Sequence, residues 1–213
     1  MTSDLDLIER RELCDLLEEV GPDAPTLCGT WTTADLAAHL VVRERDLIGG
    51  AGIIVPWLAG TTEKHMASQL RRHGFPGLVD LIRSGPPFGP MKVPAVRHLA
   101  NIVEFFVHHE DVRRPHGLAP RTDRPELDDE LWGMLKRMAP FMVRKAGVKG
   151  VHLRLVRDTG AVVGAGGGDQ EVTITGPAGE LVLELYGRQS VAQVSYDGAD
   201  DAVARVRAAD FGI

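Results

Sequence analysis

Three side chains in one stretch of the sequence have the types and the spacing to act together. Glu104 and His108 stand four residues apart, and Asp111 follows three residues later. Around them lie Leu99, Ile102, Val103, Phe105, Phe106 and Val107, and Pro94 and Pro115 bracket the run. Proline at a first helical position and proline just past the end punctuate a helix, here Ala95 to Arg113. Residues four and three apart share one side of a helix. A carboxylate oxygen and an imidazole nitrogen from adjacent turns can then reach one metal ion. Asp111 can hold the other ring nitrogen of His108 and fix its tautomer. Plainer readings stay open: Glu104 and His108 pair with each other or face water, and Asp111 pairs with an arginine. A polar stripe inside a bundle still requires partners. His109 is a rival ligand about 100° around the helix, but His108 has the better spacing from Glu104.

A further ligand has to come from another element. His39 sits in Asp35-Leu36-Ala37-Ala38-His39-Leu40-Val41-Val42, among small and aliphatic residues. A histidine on such a face is ordinarily a satisfied core residue. Opposite Glu104 and His108 it would complete a set of two imidazoles and one carboxylate. That set suits zinc with an open fourth position, and equally iron, nickel or manganese. Thr32 and Asp35 are spaced as a capping box, with Trp31 and Leu36 as its hydrophobic staple, so the His39 helix starts at Thr33 and runs to about Ile48.

The remaining elements follow from periodicity and punctuation. Ser3 caps a first helix that runs to Val20 and stops at Gly21-Pro22. Residues 49–61 are Gly-rich and poorly periodic, with Trp57 a candidate pocket residue. Short helices are expected over Thr62–Arg72 and Gly77–Ile82, then a Pro-rich loop from Gly85 to Pro90, and a further helix from Pro125 to Lys145. Near Gly147 the pattern changes. Val151–Arg157, Glu171–Thr175 and Glu180–Tyr186 alternate at period two and read as strands. Gly164-Ala165-Gly166-Gly167-Gly168 lacks the Lys-Ser/Thr of a phosphate loop and reads as a turn. Ala199–Ala209 closes the chain as a helix. The fold class is therefore α+β, with a helical domain over 1–147 and a small α+β domain over 148–213.

Composition removes whole classes of function. The 213 residues include 24 Lys and Arg against 30 Asp and Glu, a net charge of −6. No basic arm offers itself to a nucleic-acid backbone. Cys14 and Cys28 make neither a disulfide framework nor a CxxC pair. The start has no signal-peptide pattern, and no apolar run is long enough to span a bilayer, so a cytoplasmic protein is expected.

Two motifs carry a resemblance. Leu27-Cys28-Gly29-Thr30-Trp31-Thr32 followed by Asp35–Leu40, and Glu104-Phe105-Phe106-Val107-His108-His109-Glu110-Asp111, together resemble the signatures of the mycothiol-dependent maleylpyruvate isomerase family of the DinB-like metal-binding superfamily. The resemblance implies a DinB-like four-helix bundle with a divalent metal, usually zinc, between its helices, and a small sterol-carrier-like C-terminal domain. His39, Glu104 and His108 match the ligand positions, and mycothiol would be the co-substrate. Leu185-Tyr186-Gly187-Arg188 resembles the element that lends the family's cleft an arginine. Arg188, with Arg97 as a second candidate, would therefore face a substrate carboxylate. The implied chemistry is addition of a thiolate to the activated double bond of a small electrophile, rotation, and elimination to the trans isomer. Two alternatives stand beside it: a metal-binding or regulatory bundle without turnover, and a hydrophobic-ligand carrier acting through the C-terminal domain.

Overall fold

The structure is a computed structural model that describes residues 4–46 and 59–212. The chain divides into two compact units, 1–118 and 119–213.

The first unit is a four-helix bundle. Its helices are α1 (Leu5–Val20), α2 (Thr33–Arg45), α3 (Ala59–Ser84) and α4 (Pro94–Arg113). Helix α2 packs on α3, while α1 packs on α3 and α4. The core takes Leu13 and Leu17 from α1, Leu36 and Leu40 from α2, Leu78 and Ile82 from α3, and Phe105 and Val112 from α4. The expected pair of short helices is one element broken at Gly74, where φ is +62° and ψ 172°, two residues before Pro76. The Thr32/Asp35 capping box forms as expected: Thr32 N donates to Asp35 Oδ2 at 3.0 Å, and Thr32 Oγ1 accepts from Asp35 N. This reciprocal cap sets where α2 begins and hence which face His39 occupies. Ser3 and Trp57 lie outside the described residues.

The bundle also buries a polar cluster. Arg10 is 2% exposed and forks onto Glu44, which in turn accepts from Asn101 Nδ2 at 2.9 Å. A buried guanidinium is tolerated here because its charge is paired with Glu44 and its two terminal nitrogens donate to Glu44 and to the Ile82 carbonyl, although Nε has no partner among the described residues. Cys14, wholly buried on α1 one turn beyond Arg10, has its thiol pushed up to about 12 by burial, which makes it inert.

The second unit contains α5 (Pro125–Ala146), β1 (Val151–Arg157), β2 (Val162–Gly167), β3 (Gln170–Gly176), α6 (Ala178–Leu185), β4 (Ser195–Gly198) and α7 (Asp200–Arg207). The sheet order is β2-β1-β3-β4, with β1 antiparallel to β2 and parallel to β3, and β3 antiparallel to β4. Leu153 faces Val172 and Leu155 faces Ile174 across the parallel pair, all four buried. Helix α5 packs against α6 and β2 and so belongs to the compact unit of the sheet. The pattern change near residue 147 marks the step from helix to strand, while the compact units part at residue 118.

Two readings of this unit are corrected. The Gly-rich stretch is not a turn: Val162–Gly167 is strand β2. Gly164 and Gly166 answer to close packing: a Cβ there would stand 2.9 Å from the His152 ring and 3.0 Å from the Val151 carbonyl oxygen, respectively. A Cβ on Gly168, just past the strand, would stand 2.0 Å from the Gly150 carbonyl carbon, where the chain passes under β1 to reach β3. The run Glu180–Tyr186 is not a strand but helix α6. Its Leu and Val side chains are buried on all sides, so the helix leaves no polar stripe for a 3.6 period to reveal. The two glutamates that mimic alternation, Glu180 and Glu184, are both buried and partnered. Gln193 N donates to Glu180 Oε2 at 2.7 Å and Tyr196 Oη to Glu184 Oε1 at 2.5 Å.

Candidate metal centre

Helix α4 begins at Pro94 and carries Glu104, His108 and Asp111 along one side, as its spacing requires. Helix α2 presents His39 to them. The His39 Nε2 to Glu104 Oε1 distance is 3.5 Å, and His108 Nε2 lies 3.3 Å from the same oxygen. One donor atom from each of the three residues lies within 4.8 Å of the other two. The imidazole rings of His39 and His108 meet edge to face, with centroids 5.2 Å apart, and Trp31 packs on His39 at the same separation.

This donor set can be tested against the needs of an ion. Tetrahedral zinc bound at about 2.0–2.2 Å by nitrogen and oxygen keeps its donor atoms about 3.4 Å apart. The two edges of the cluster that meet at Glu104 Oε1, 3.3 and 3.5 Å, match that spacing. Residue types and spacing both fit a divalent ion.

A second layer of contacts orients the donors. His108 Nδ1 donates to Asp111 Oδ2 at 2.9 Å, which turns Nε2 toward Glu104. The Cys28 thiol donates to that same Asp111 oxygen at 3.1 Å, and its sulfur lies 3.9 Å from His108 Nδ1. Arg43, one turn beyond His39 on α2, places Nε 3.0 Å from Glu104 Oε1. Its two terminal nitrogens donate to Asn101 Oδ1 at 2.7 Å and to the Ala100 carbonyl at 2.6 Å. Asn101 joins this chain to the Arg10–Glu44 cluster.

The electrostatics follow from these contacts. Burial alone would raise the Glu104 carboxyl. The hydrogen bonds of His108 and His39, with the charge on Arg43, instead hold it well below the usual carboxylate range. Burial disfavours charge on His39 and lowers its pKa, against the opposing pull of Glu104. Burial disfavours charge on His108 too, but Asp111, Cys28 and Glu104 hold its pKa well above the ordinary imidazole value. The site thus presents an ionised carboxylate with imidazoles on two sides.

The other residues singled out from the sequence lie elsewhere. Arg97 sits on α4 two turns before Glu104, and its Nε pairs with the wholly buried Asp6 at 2.6 Å, with Asp4 3.5 Å from Nη2. Arg188 belongs to the second unit, where its Nη1 donates to the Tyr186 carbonyl at 2.6 Å. His109 turns away from His108 toward α1, with Nδ1 3.3 Å from Glu9 Oε2. Glu9, Glu12 and His109 form a separate group of potential donors. Cys28 and Arg43 were not expected in the site. Cys28 belongs to the Leu27–Thr32 motif, but nothing local aims a thiol at a residue 83 positions later. Arg43 follows His39 by four residues, a spacing that places both on one face of α2.

No protein-family model and no curated protein matches the sequence. Among solved structures, the crystal structure of the mycothiol-dependent maleylpyruvate isomerase aligns with a TM-score of 0.52 at 18% identity, covering 91% of this chain and 89% of that one. A histidine-to-alanine variant of that isomerase aligns with a TM-score of 0.51 at the same identity and coverage. The chain therefore has the α+β fold of the mycothiol-dependent maleylpyruvate isomerase, a helical bundle followed by a small sheet domain.

Proposed function

We propose that the protein is a divalent-metal-dependent, thiol-dependent enzyme of the maleylpyruvate isomerase type, with His39, Glu104 and His108 as the metal ligands. The observation that carries this reading is the convergence of two imidazole nitrogens on one carboxylate oxygen at 3.3 and 3.5 Å. Zinc is the ion proposed and mycothiol the co-substrate, in keeping with the sequence motifs and with the enzyme whose fold the chain shares. A divalent ion lowers the pKa of a thiol it binds and so supplies a thiolate at neutral pH. Asp111 and Cys28 hold the ring of His108, and Arg43 holds the carboxylate of Glu104. A small carboxylate-bearing electrophile needs a cation beside its reacting centre. Arg188 takes that role in this reading, and Arg97 could serve it only by leaving Asp6.

One observation also favours a second reading, a bundle without turnover. Arg43, His39 and His108 all meet Glu104 Oε1, and such a closed ion-pair cluster can exist for stability alone. Activity decides between them. The test incubates zinc-loaded and chelator-treated protein with maleylpyruvate and mycothiol and follows formation of the trans isomer. Turnover that requires both zinc and the thiol is the expected result. Stoichiometric zinc uptake with no turnover would leave a metal-binding bundle, and absence of zinc uptake would refute the metal site and leave an ion-pair cluster that serves stability alone.

A further inference from the structure

The second unit holds a pocket of its own. Its volume is about 530 Å³, and its lining includes Gln189, Ser190, Ala192, Val194, Tyr196 and Arg207. That volume is within the range of small-molecule sites. The lining is mainly polar, unlike the continuous apolar tunnel that a carrier of hydrophobic ligands needs.

Tyr196 organises the pocket. The Arg207 guanidinium lies over its ring, 4.3 Å from the centroid, where the negative face of the ring attracts a cation. The phenol donates to Glu184 Oε1 at 2.5 Å. Glu184 is wholly buried, and its Oε2 has no hydrogen-bond partner among the described residues. Tyr196 is thus held at its hydroxyl and covered on its face, and both contacts fix where Arg207 stands. Gln189 Nε2 lies 3.4 Å from the carbonyls of Val206 and Arg207, which ties the loop after α6 to the end of α7. Burial pushes the Glu184 carboxyl up from its ordinary value, which weakens its opposition to an incoming anion. Among the described residues no side chain accepts a hydrogen bond from the Arg207 guanidinium. A planar fork with free donors, held in place by stacking, matches a carboxylate in two-point geometry.

We propose that this pocket binds a small carboxylate, anchored on Arg207, with Ala192 and Val194 available to its carbon skeleton. The inference stands apart from the metal centre and from the reaction proposed for it. The plainer role for Arg207 is to complement the C-terminal end of α7.

The test is calorimetric titration of the full-length, metal-free chain with succinate in low-salt buffer, with succinamide and phosphate as comparisons. The expected result is saturable 1:1 binding of succinate and none of succinamide. Arg207→Gln is expected to weaken succinate at least tenfold, and Ser190→Trp, which fills the pocket without touching the charge, to abolish binding. His39→Ala is expected to leave it unchanged. Circular dichroism of each variant confirms that it is folded. No saturable binding, or succinate affinity unchanged in folded Arg207→Gln, would overturn the proposal. So would phosphate binding as tightly as succinate, which would mean general anion attraction, or loss of binding in His39→Ala alone, which would move the ligand to the first unit.

Discussion

Replacing His39 by alanine tests the ligand assignment most directly. The substitution removes one of three donors from a cluster in which both edges to Glu104 Oε1, 3.3 and 3.5 Å, match those of a bound ion. Little rearrangement is therefore needed on binding, and each donor should contribute its full share. Complete four-ligand structural zinc sites bind with about 10–16 kcal/mol, roughly 2.5–4 kcal/mol per ligand. At about 1.4 kcal/mol per decade, His39→Ala should weaken zinc by roughly 10²- to 10³-fold. The assay is competition against a chromophoric chelator, paired with thermal unfolding. For the native chain, zinc at 100 times its dissociation constant adds about 2.7 kcal/mol, which raises Tm by roughly 5–10 °C. His39→Ala should lose that increment at the same zinc concentration. His109→Ala is the matched control, because His109 sits next to His108 in sequence but faces Glu9 and Glu12. Zinc retained at full affinity in His39→Ala and lost in His109→Ala would refute the assignment and move the ion to the α1 side of helix α4.

Asp111→Ala leaves the Nδ1 of His108 without its acceptor and should weaken zinc about 10- to 100-fold while all three ligands remain, measured by the same competition. Arg10→Met strands the buried Glu44 carboxylate and should cost about 3–5 kcal/mol in urea unfolding, and Arg10→Met/Glu44→Leu should recover most of it. Glu184 gives a pH effect of opposite sign to the usual carboxylate. Its pKa is raised by burial in the folded state, so its stabilising effect is complete below the unfolded carboxyl pKa and fades as pH rises through the folded value. Glu184→Gln should remove that slope and leave the protein no less stable at pH 7 than the native chain, read from unfolding midpoints between pH 4 and 8.

The legible parts of the fold were those set by local rules. Helix α2 starts where the Thr32/Asp35 box places it, and α4 starts at Pro94. A cap is a matter of four consecutive residues and needs no distant partner. The failures came where several sides of an element are buried at once. Helix α6 has apolar residues all round, so its period is hidden, and its two glutamates gain partners only from Gln193 and Tyr196. Strand β2 looks like a turn because it is rich in glycine, and at Gly164 and Gly166 the glycine makes room for His152, Val143 and the Val151 carbonyl.

The same division holds for the candidate site. Glu104, His108 and Asp111 fall on one side of a helix by spacing alone, and the motifs themselves drew attention to His39. The 3.5 Å approach of His39 to Glu104 spans 65 residues of chain, and the Cys28–Asp111 contact spans 83. Such contacts depend on how α2, α4 and the loop before α2 pack, which no short window encodes. Packing also paired Arg97 with a buried aspartate and placed Arg43 on Glu104. By itself the sequence determined which residues have the chemistry to bind an ion, because helical spacing is a local property. Tertiary structure alone decided which polar groups meet, because a buried charge is held by whatever opposite charge the packing brings within reach.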